Sequence, residues 1–413
     1  MKTAIIGGGA AGFFLAINLK EMCPQMDVTI FERSSRVLRK VRVSGGGRCN
    51  CTNTFADVRD LSAVYPRGHR LMKRLMKGFD QRDAYAWFER HGVPLTVQDD
   101  QCVFPAAQDS QAIIGCFLSY CQRLGIKIRT GCTPLPPFTS AAGALTPVTS
   151  AAGAFTVEGT AFDYLCLTIG GQPRLEGLQW LADMGHEIEP PVPSLFTFSI
   201  ADPALRALMG TVVEDATAFI PGTSYRACGP LLITHWGMSG PAILKLSSYA
   251  ARHLADAGYR APLAVNWTSR NEDAVRQELQ ALFTAHPQKQ LTSLRPFNLP
   301  ARLWQYLVAK AVGENIPTPA ALSKKALNRL VTTLTADSYT IASRAPFKDE
   351  FVTCGGVALS SVNPATLESR SCPHLYLAGE LLDIDGITGG FNFQAAWTTA
   401  YTIAQAIAQN CRE

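Results

Sequence analysis

The stretch Ile5-Ile6-Gly7-Gly8-Gly9-Ala10-Ala11-Gly12-Phe13-Phe14-Leu15 (IIGGGAAGFFL) places three adjacent glycines inside an apolar run close to the start of the chain. The residues just before it, Thr3 to Ile6, are short and mostly apolar, as expected of a strand buried on both faces. Ala10 to Lys20 then has the apolar spacing of a helix. The pattern therefore predicts a strand, a tight turn and a helix.

The glycines fit the spacing G-x-G-x-x-G, and a second predicted strand, Asp27 to Phe31, ends at Glu32, 20 residues after the last of them. In such a βαβ unit the first glycine permits the turn, the second lets a pyrophosphate approach, and the third allows close helix–strand packing. The helix N-terminus binds the phosphates, and the acidic residue accepts ribose hydroxyls and disfavours NADP. The residues predicted to contact the dinucleotide here are Gly7, Gly9, Ala10, Ala11, Gly12, Glu32 and Arg33.

A second glycine cluster follows the predicted ribose-binding strand, in the sequence KVRVSGGGRCNCTN of residues 40–53. Adjacent glycines expose backbone N–H groups, and the flanking cations and short polar side chains suit an extended anionic or polar ligand. The alternative is a flexible surface loop. The candidate cofactor contacts are Lys40, Ser44, Gly45, Gly46, Gly47, Arg48, Cys49 and Asn50.

A third signal lies near the other end of the chain, where residues 375–397 read LYLAGELLDIDGITGGFNFQAAW. A short buried strand is predicted at Leu375 to Ala378, and a helix opens at Gly389-Gly390. A cofactor contacted by both ends of the chain must be long, which favours FAD over NAD. The further candidate contacts are Pro134, Gly170, Gly379, Glu380, Asp383, Gly389, Gly390, Phe391 and Asn392.

Length and composition restrict the class of protein. A chain of 413 residues with 47% hydrophobic and 17% charged residues is expected to form two or three soluble globular domains. The net charge of +5 implies neither nucleic acid nor membrane as a partner. The 12 cysteines include no C-x-x-C pair, so we expect free thiols in the cytoplasm and no metal site. The partner we expect is a small-molecule substrate.

Six blocks of sequence make the chain resemble the BaiN-like, or HI0933-like, flavoproteins. They span nearly the whole chain in the family's order: GGGAAG at 7–12, SGGGRCNCTN at 44–53, VFPAAQDSQAI at 103–113, THWGMSGPAIL at 234–244, TCGGVALSSV at 353–362 and GELLDIDGITGGFNFQAAW at 379–397. The resemblance implies a Rossmann-like, glutathione-reductase-like α/β domain for FAD, built from residues 1–190 and 353–413. It also places residues 379–383 near the ribityl and pyrophosphate groups, and residues 388–392 near the isoalloxazine.

The segment between the two halves is expected to be an insert. Residues 191–270, with return strands near 337–352, contain short β-like runs typical of a small antiparallel or barrel-like module. The runs are Leu195–Ile200, Thr211–Val213, Ala216–Ile220 and Leu231–Thr234. Residues 271–336 contain three helical stretches, expected to form a helical cap. Pro190-Pro191-Val192-Pro193 is interpreted as the linker.

Three other segments give weaker signals. Residues 134–160 predict a hairpin or meander, and residues 58–83 are helical in character and basic. The basic run is interpreted as a solvated helix face, with docking of an acidic substrate or RNA as the alternative. After Gly170-Gly171 the chain lacks the Ser/Thr/Gly-rich loop usual in the family, which puts contacts carried over to that region in doubt.

The predicted chemistry is that of a flavin oxidoreductase acting on a small or medium organic substrate. The sequence has no C-x-x-x-x-C pair beside the first glycine turn and no second G-x-G-x-x-G, so NAD(P)H would dock only transiently. The catalytic candidates are His235, Arg48 and Cys49. Enone reductase and amine oxidase both remain open. An RNA-modifying flavoprotein and a non-catalytic redox protein are the alternatives.

Overall fold

The computed structural model describes residues 1–132, 155–313, 315–345 and 352–411, and the chain divides into two compact units. The first unit joins Met1–Val192 to Val352–Glu413, and the second is Pro193–Phe351. Most of the predicted 134–160 meander lies outside the described residues. Only its end is described, as a short hairpin.

The helices and strands are numbered in chain order. The first segment contains β1 Lys2–Ile6, α1 Ala10–Met22, β2 Asp27–Glu32, α2 Arg39–Val43, β3 Thr52–Asn53, α3 His69–Leu75, α4 Gln81–Arg90, β4 Leu95–Val97, β5 Cys102–Pro105, α5 Gln111–Arg123, β6 Lys127–Thr130, β7 Phe155–Val157, β8 Thr160–Phe162, β9 Tyr164–Leu167, α6 Gln179–Asp183 and β10 Ile188–Ser194.

The insert contains β11 Phe198–Ile200, α7 Pro203–Arg206, β12 Val212–Phe219, β13 Arg226–Ile233, β14 Gly237–Ser239, α8 Pro241–Tyr249, α9 Ala251–Asp256, β15 Ala261–Asn266, α10 Glu272–Ala285, α11 Ala301–Val312, α12 Lys324–Thr335 and β16 Asp337–Arg344. The final segment contains β17 Val352–Val357, β18 Leu375–Leu377 and α13 Phe391–Asn410.

The main sheet of the first unit is parallel, with strand order β18-β9-β1-β2-β6. Its central strand, β1, pairs with β2 on one side and β9 on the other. Ala4, Ile5 and Ile6 are buried on both faces of the sheet, which explains why they are apolar without alternation. The carboxyl ends of β1, β2, β9 and β18 meet at one edge. The predicted Rossmann-type α/β fold is confirmed.

Aromatic side chains fill the space between the helices of this unit. The ring of Phe14 on α1 lies 4.6 Å from that of Trp87 and 5.1 Å from that of Trp397, centroid to centroid. All three side chains are buried, as are Phe88 and Phe117 beside them. Because Trp397 belongs to α13, this cluster fixes the end of the chain against the helix that follows the first glycine turn.

One sequence expectation in this unit agrees with the structure and another needs correction. The chain divides between Val192 and Pro193, inside the predicted linker at 190–193. These residues lie within strand β10, which pairs with β17 in a two-stranded sheet. Prolines are tolerated there because a strand with one partner has a side where no backbone donor is needed. The helical character expected over 58–83 is confined to α3 and α4, since Pro66 and Gly68, with φ of +77°, interrupt it.

The second unit contains a closed barrel with strand order β11-β14-β13-β12-β15-β16. Its helices include α10 and α12, whose first turns are capped by Asn271 and Ser323 accepting from the N–H groups of Ala274 and Ala326. One hydrophobic core joins the barrel strands to α8, α10, α11 and α12. Residues 271–336 therefore share their core with the barrel and do not form a separate unit.

The strands of the barrel differ from the runs expected from the sequence. The two runs expected at 211–213 and 216–220 form one strand, β12, because a bulge between Val213 and Ala216 preserves the pairing. The run expected at 195–200 shortens to β11, since Leu195 adopts φ of +59°. The run expected at 231–234 begins earlier, at Arg226.

In the described part of the chain, no helix has both the length and the apolar character needed to cross a bilayer.

A buried ion pair ties α11 to the barrel. Lys310 on α11 lies 2.6 Å from the carboxylate of Asp337, whose side chain is 2% exposed. The same carboxylate accepts from the indole N–H of Trp267 at 3.0 Å and from the hydroxyl of Tyr339. The lysine ammonium also lies 3.9 Å from the ring centre of Tyr339. Removal of the lysine leaves a buried carboxylate without its cation.

We predict that Lys310→Met lowers the free energy of unfolding of the insert by about 2–3 kcal/mol, below the loss for a fully buried pair because Lys310 is 32% exposed. Urea unfolding followed by tryptophan fluorescence measures it. The matched control is Lys325→Met, at an exposed position of α12, with an expected change within about 0.5 kcal/mol. Equal stabilities of the two variants would contradict the prediction.

Candidate dinucleotide site

The turn between β1 and α1 is built on close backbone contacts. Gly7 has φ of +116°, and a Cβ there would lie 2.3 Å from the carbonyl oxygen of Thr168. A Cβ on Gly12 would lie 2.1 Å from the carbonyl oxygen of Gly7. A Cβ on Gly9 would meet nothing within 4 Å. Packing therefore requires two of the glycines, and the third borders open space that a ligand can enter.

The first turn of α1 faces this space. Gly9 is its N-cap and contributes no side-chain cap. The N–H groups of Ala10, Ala11 and Gly12 have no acceptor inside the helix, as in every first turn. Because the helix dipole adds partial positive charge, this end suits a pyrophosphate.

Glu32 lies at the carboxyl end of β2, beside the turn. Its carboxylate accepts the N–H of Gly8 and the N–H and hydroxyl of Ser34, each at 2.8 Å. These contacts hold the carboxylate at the strand tip, where the ribose of a dinucleotide binds in this fold. Arg33 is exposed and lines an open cavity of about 780 Å³ together with residues 172–177.

The second glycine cluster forms a tight turn with left-handed backbone directly after the short helix α2. Gly45, Gly46 and Gly47 have φ of 57°, 68° and 87°. A Cβ on Gly45 would lie 2.9 Å from the N atom of Asn50, whereas a Cβ on Gly46 would meet nothing within 4 Å. The hydroxyl of Ser44 donates to the carbonyl of Val41 at 2.9 Å. Gly46 is thus the second glycine that borders open space.

Arg48 and Cys49 differ in accessibility. Arg48 donates to the carbonyl of Gly45 at 3.1 Å and to the side chain of Gln108 at 3.2 Å, with its guanidinium 4.3 Å from the ring centre of Phe104. Cys49 is 0% exposed, and burial raises the pKa of its thiol to about 12. A thiol with that pKa stays protonated near neutral pH, so the structure gives no support to Cys49 as a nucleophile.

Residues 389–397 pack directly on residues 50–53, which follow the second glycine cluster. A Cβ on Gly390 would lie 2.3 Å from the carbonyl oxygen of Thr52, so only glycine fits there. Asn53 donates to the carbonyl of Gly389 at 3.1 Å, and Trp397 donates to the carbonyl of Cys51 at 2.7 Å. The side-chain amide of Asn50, oriented to satisfy its neighbours, accepts the N–H of Gly390 at 3.2 Å.

The loop before α13 is held in place by its own side chains. The amide of Asn392 both donates to and accepts from the backbone of Gly386, each at 2.8 Å. The hydroxyl of Tyr65 donates to the carbonyl of Phe391 at 2.8 Å. Gly390 is the N-cap of α13 without a side-chain cap, so the first N–H groups of this helix also face a potential ligand.

Two predicted cofactor contacts bind each other. The Lys40 ammonium lies 2.6 Å from the carboxylate of Glu380, and the other Glu380 oxygen accepts the N–H of Thr353 at 2.9 Å. The pair links α2 to the segment after β18 and neutralises both charges. Gly379 lies beside α1, since its Cβ would be 3.4 Å from that of Ala11.

Arg67 and Asp385 form a long-range pair beside the predicted site loop that the sequence did not identify. Arg67 donates through two nitrogens to the carboxylate of Asp385, which is 0% exposed. Burial lowers the pKa of Arg67, but the attraction of Asp385 outweighs it and raises that pKa above its ordinary value. The 318 residues between them leave no sequence signal for the pairing.

The half-buried Asp383 lies beside the buried Asp385 and Cys354. Ligand atoms of Cys354, Asp383 and Asp385 lie within 4.8 Å of one another. The guanidinium of Arg67 already binds one of these carboxylates, so a cation for the group is present in the chain itself.

The remaining predicted residues fall in three places. Gly170 follows β9 at the same sheet edge, with φ of +73°. Pro134 lies outside the described residues. His235 belongs to the second unit, where it is exposed and its ring lies 5.0 Å from that of Trp236.

The residues of the first unit fit an extended dinucleotide. Segments from both ends of the chain bring together the N-termini of α1 and α13 and two glycines that border open space, Gly9 and Gly46. They also include the carboxylate of Glu32 at the end of β2. The donors are N–H groups that suit phosphates, and the Glu32 carboxylate suits ribose hydroxyls. FAD has both kinds of group and the length to contact all three segments.

We predict that Gly12→Ala weakens FAD binding at least about tenfold, because relief of a 2.1 Å contact costs about 1–3 kcal/mol of overpacking. Flavin retained on the purified protein and titration of the apoprotein measure the change. Gly115→Ala in α5 is the matched control, because a Cβ there meets nothing within 4 Å. It should bind FAD normally, and gain up to about 1 kcal/mol of stability. Wild-type affinity in Gly12→Ala would refute this account of the turn.

Comparison with known proteins identifies relatives that are similar over nearly the whole chain. It is 27% identical over 99% of both chains to the 3-dehydro-bile acid delta(4,6)-reductase of Clostridium scindens. It is 28% identical to the ribosomal RNA dihydrouridine synthase of Escherichia coli, over 97% of this chain and 96% of that one. The protein of the same name from Haemophilus influenzae is 27% identical, with 99% and 98% covered.

Among solved structures, 3-ketosteroid delta1-dehydrogenase from Sterolibacterium denitrificans shares the fold, with a TM-score of 0.51, 10% identity and 99% of both chains covered. The model of the HI0933-like protein Rossmann domain matches residues 1–406. The chain therefore belongs to the HI0933-like family of FAD-dependent flavoprotein oxidoreductases.

Proposed function

We propose that this protein reduces a carbon–carbon double bond conjugated to a carbonyl group, with FAD as its cofactor. The observation that carries the proposal is a single candidate FAD site, called the cradle below, built by segments from both ends of the chain. The chain is also similar over nearly its full length to relatives named for such reductions. This is the enone-reductase subtype of the sequence prediction.

The names of the relatives share one chemical change. A 3-dehydro-bile acid with double bonds at positions 4 and 6 is a conjugated ketone, and dihydrouridine is uridine whose ring double bond, next to a carbonyl, has been reduced. Reduction of the double bond directly conjugated to the carbonyl requires a hydride at the β carbon and a proton at the α carbon. The two substrates differ greatly in size. The conjugated double bond that they share therefore supports the reaction class, and it does not favour one of these substrates over the other.

Each segment of the cradle has a role in this proposal. The first-turn N–H groups of α1 bind the pyrophosphate, and Glu32 binds the ribose. The N-terminus of α13 carries partial positive charge. In this proposal that charge stabilises negative charge on the flavin ring system. Reduced FAD supplies the hydride when it is bound. The chain has to position the substrate carbonyl and deliver the proton.

Arg48 is our candidate for binding the substrate carbonyl. Its Nε and Nη1 atoms hold the side chain against Gly45 and Gln108. For its Nη2 atom the structure shows no partner among the residues it describes. A guanidinium fixed in this way can donate to a carbonyl oxygen and withdraw electrons from the conjugated bond.

His235 remains our candidate proton donor. It is exposed on its unit, and it lies in THWGMSGP, one of the blocks that carry the family resemblance. A histidine can donate a proton near neutral pH. NAD(P)H is proposed as the transient electron donor.

The proposal is tested anaerobically with the purified flavoprotein. NADPH or NADH should bleach the flavin, and cyclohexenone should then restore its colour and yield cyclohexanone. Cyclohexanone itself, which lacks the conjugated double bond, is the matched control and should leave the flavin reduced. Rapid bleaching by benzylamine, with rapid recovery in air and no response to any enone, would show an amine oxidase. Reduction without transfer to any acceptor would show a non-catalytic redox protein.

We predict that His235→Asn slows reoxidation by cyclohexenone about 10²- to 10⁴-fold, because asparagine cannot deliver the proton. Stopped-flow traces separate this step from reduction by NAD(P)H, which does not use the proposed proton. The control His286→Asn changes an exposed histidine of the same unit and should behave as wild type. Equal reoxidation rates for His235→Asn and wild type would exclude this role.

A further inference from the structure

The segment from Phe104 to Ser110, at the end of β5 and in the loop before α5, lies against the second glycine cluster. The N–H group of Ser110 donates to the carbonyl of Gly47 at 2.9 Å, and Ser110 is 2% exposed. A Cβ on Gly45 would lie 2.9 Å from a ring atom of Phe104, which is buried. The backbone of the glycine turn is therefore supported from this segment.

Gln108, within this segment, has a backbone conformation that favours glycine. Its φ is +52°, in the left-handed region, where a residue with a Cβ is strained. Its side chain is exposed, so burial of apolar surface does not offset the strain. We therefore expect the glutamine to contribute through its polar contacts.

The side-chain amide of Gln108 has a partner at each end. Its Nε2 atom donates to the carbonyl of Pro105 at 3.1 Å, and its Oε1 atom accepts from Nη1 of Arg48 at 3.2 Å. The main-chain N–H of Gln108 donates to the same carbonyl of Pro105 at 2.9 Å, which closes the turn. With the amide reversed, its NH₂ group would face the donors of the guanidinium, so the two partners together select one orientation.

Gln108 completes a set of contacts around the guanidinium of Arg48. The Nε atom donates to the carbonyl of Gly45 at 3.1 Å, and the guanidinium carbon lies 4.3 Å from the ring centre of Phe104. The hydrogen bonds at Nε and Nη1 restrain the planar group within its plane, and the aromatic ring restrains its tilt. Loss of the Gln108 contact would leave one hydrogen bond and the ring to hold the side chain.

We propose that Gln108 is a positioning residue, which holds the guanidinium of Arg48 so that its Nη2 atom can donate to the substrate carbonyl. This inference rests on the proposed function, in which Arg48 binds that carbonyl. A donor that the protein already holds in place loses less conformational freedom when substrate binds. It also stays in place while negative charge develops on the oxygen during hydride transfer.

Gln108→Gly tests the inference without strain on the fold, because glycine adopts the left-handed backbone readily and lacks the amide. The reduced holoprotein is mixed anaerobically with cyclohexenone in a stopped-flow instrument. The second-order rate constant of flavin reoxidation should fall about fivefold, the factor that one net hydrogen bond carries. Retained flavin and a melting temperature no lower than that of wild type show that the variant is folded.

Gln101→Gly is the matched control. Gln101 also has a left-handed backbone, with φ of +65°, in the turn between β4 and β5. Its side-chain amide accepts from the hydroxyl of Thr54 at 2.6 Å. The control variant should be reoxidised as fast as wild type. Equal rates for Gln108→Gly and wild type would overturn the inference.

A double-mutant cycle separates positioning from a direct role of Gln108. In an Arg48→Gln background, Gln108→Gly should cause no further loss of rate, because the side chain that it positions is absent. A second loss of about fivefold in that background would also overturn the inference, since Gln108 would then act independently of Arg48.

Labelling with phenylglyoxal measures the contact without turnover. Peptide mass spectrometry of the labelled holoprotein should show that Arg48 reacts about fivefold faster in Gln108→Gly than in wild type or Gln101→Gly. The two proposals therefore fail separately. Wild-type protein that transfers no hydride to any conjugated double bond loses the proposed function, and the labelling still decides whether Gln108 holds Arg48. Wild-type protein that reduces cyclohexenone, with equal rates and equal labelling in Gln108→Gly, loses only the positioning role.

Discussion

The contact between Thr52 and Gly390 is the constraint on which the candidate site depends. A Cβ at position 390 would lie 2.3 Å from the carbonyl oxygen of Thr52, so at this point the backbones of the two segments are in direct contact. That contact fixes where α13 begins, and α13 packs against α1 through the aromatic cluster of Phe14 and Trp397. The two helix N-termini are therefore set relative to each other by packing before any ligand is bound.

A preformed cradle of this kind separates cofactor binding from substrate recognition. The β1–α1 turn, Glu32 and the start of α13 are all held by contacts within the first unit. The surroundings of the cradle can then differ between relatives without loss of the cofactor. This explains how similar chains can be named for a bile acid and for ribosomal RNA, since function in a shared fold depends on groups added around a common site.

Sequence alone predicted the parts of this architecture that are local. The glycine spacing fixed the first strand–turn–helix, and capping residues such as Asn271 and Ser323 marked helix starts in the insert. Short-range hydrogen bonds produce these features, so a window of a few residues contains the signal. The pairing of β10 with β17 could not be predicted, because its prolines read as a linker unless the partner strand is known.

In the candidate site, too, the sequence predicted local features and did not predict long-range pairing. Gly7, Gly12 and Gly390 were identified because their requirement for glycine is local or lies in a motif. In the sequence Arg67 is one cation in a basic run, and only the structure shows its contact with Asp385, in the loop before α13. Lys40 and Glu380 were each expected at the cofactor, yet they neutralise each other. Long-range charge pairing depends on the complete fold, which explains why residue patterns did not show it.

The central claim is that both ends of the chain bind one FAD molecule. Hydrogen–deuterium exchange on the apoprotein, with and without one equivalent of FAD, tests it most directly. The account predicts that peptides covering residues 7–13, 44–53 and 386–394 become protected together as FAD is added, with the same midpoint. Protection confined to the N-terminal peptides, with residues 386–394 unchanged at full occupancy, would contradict it.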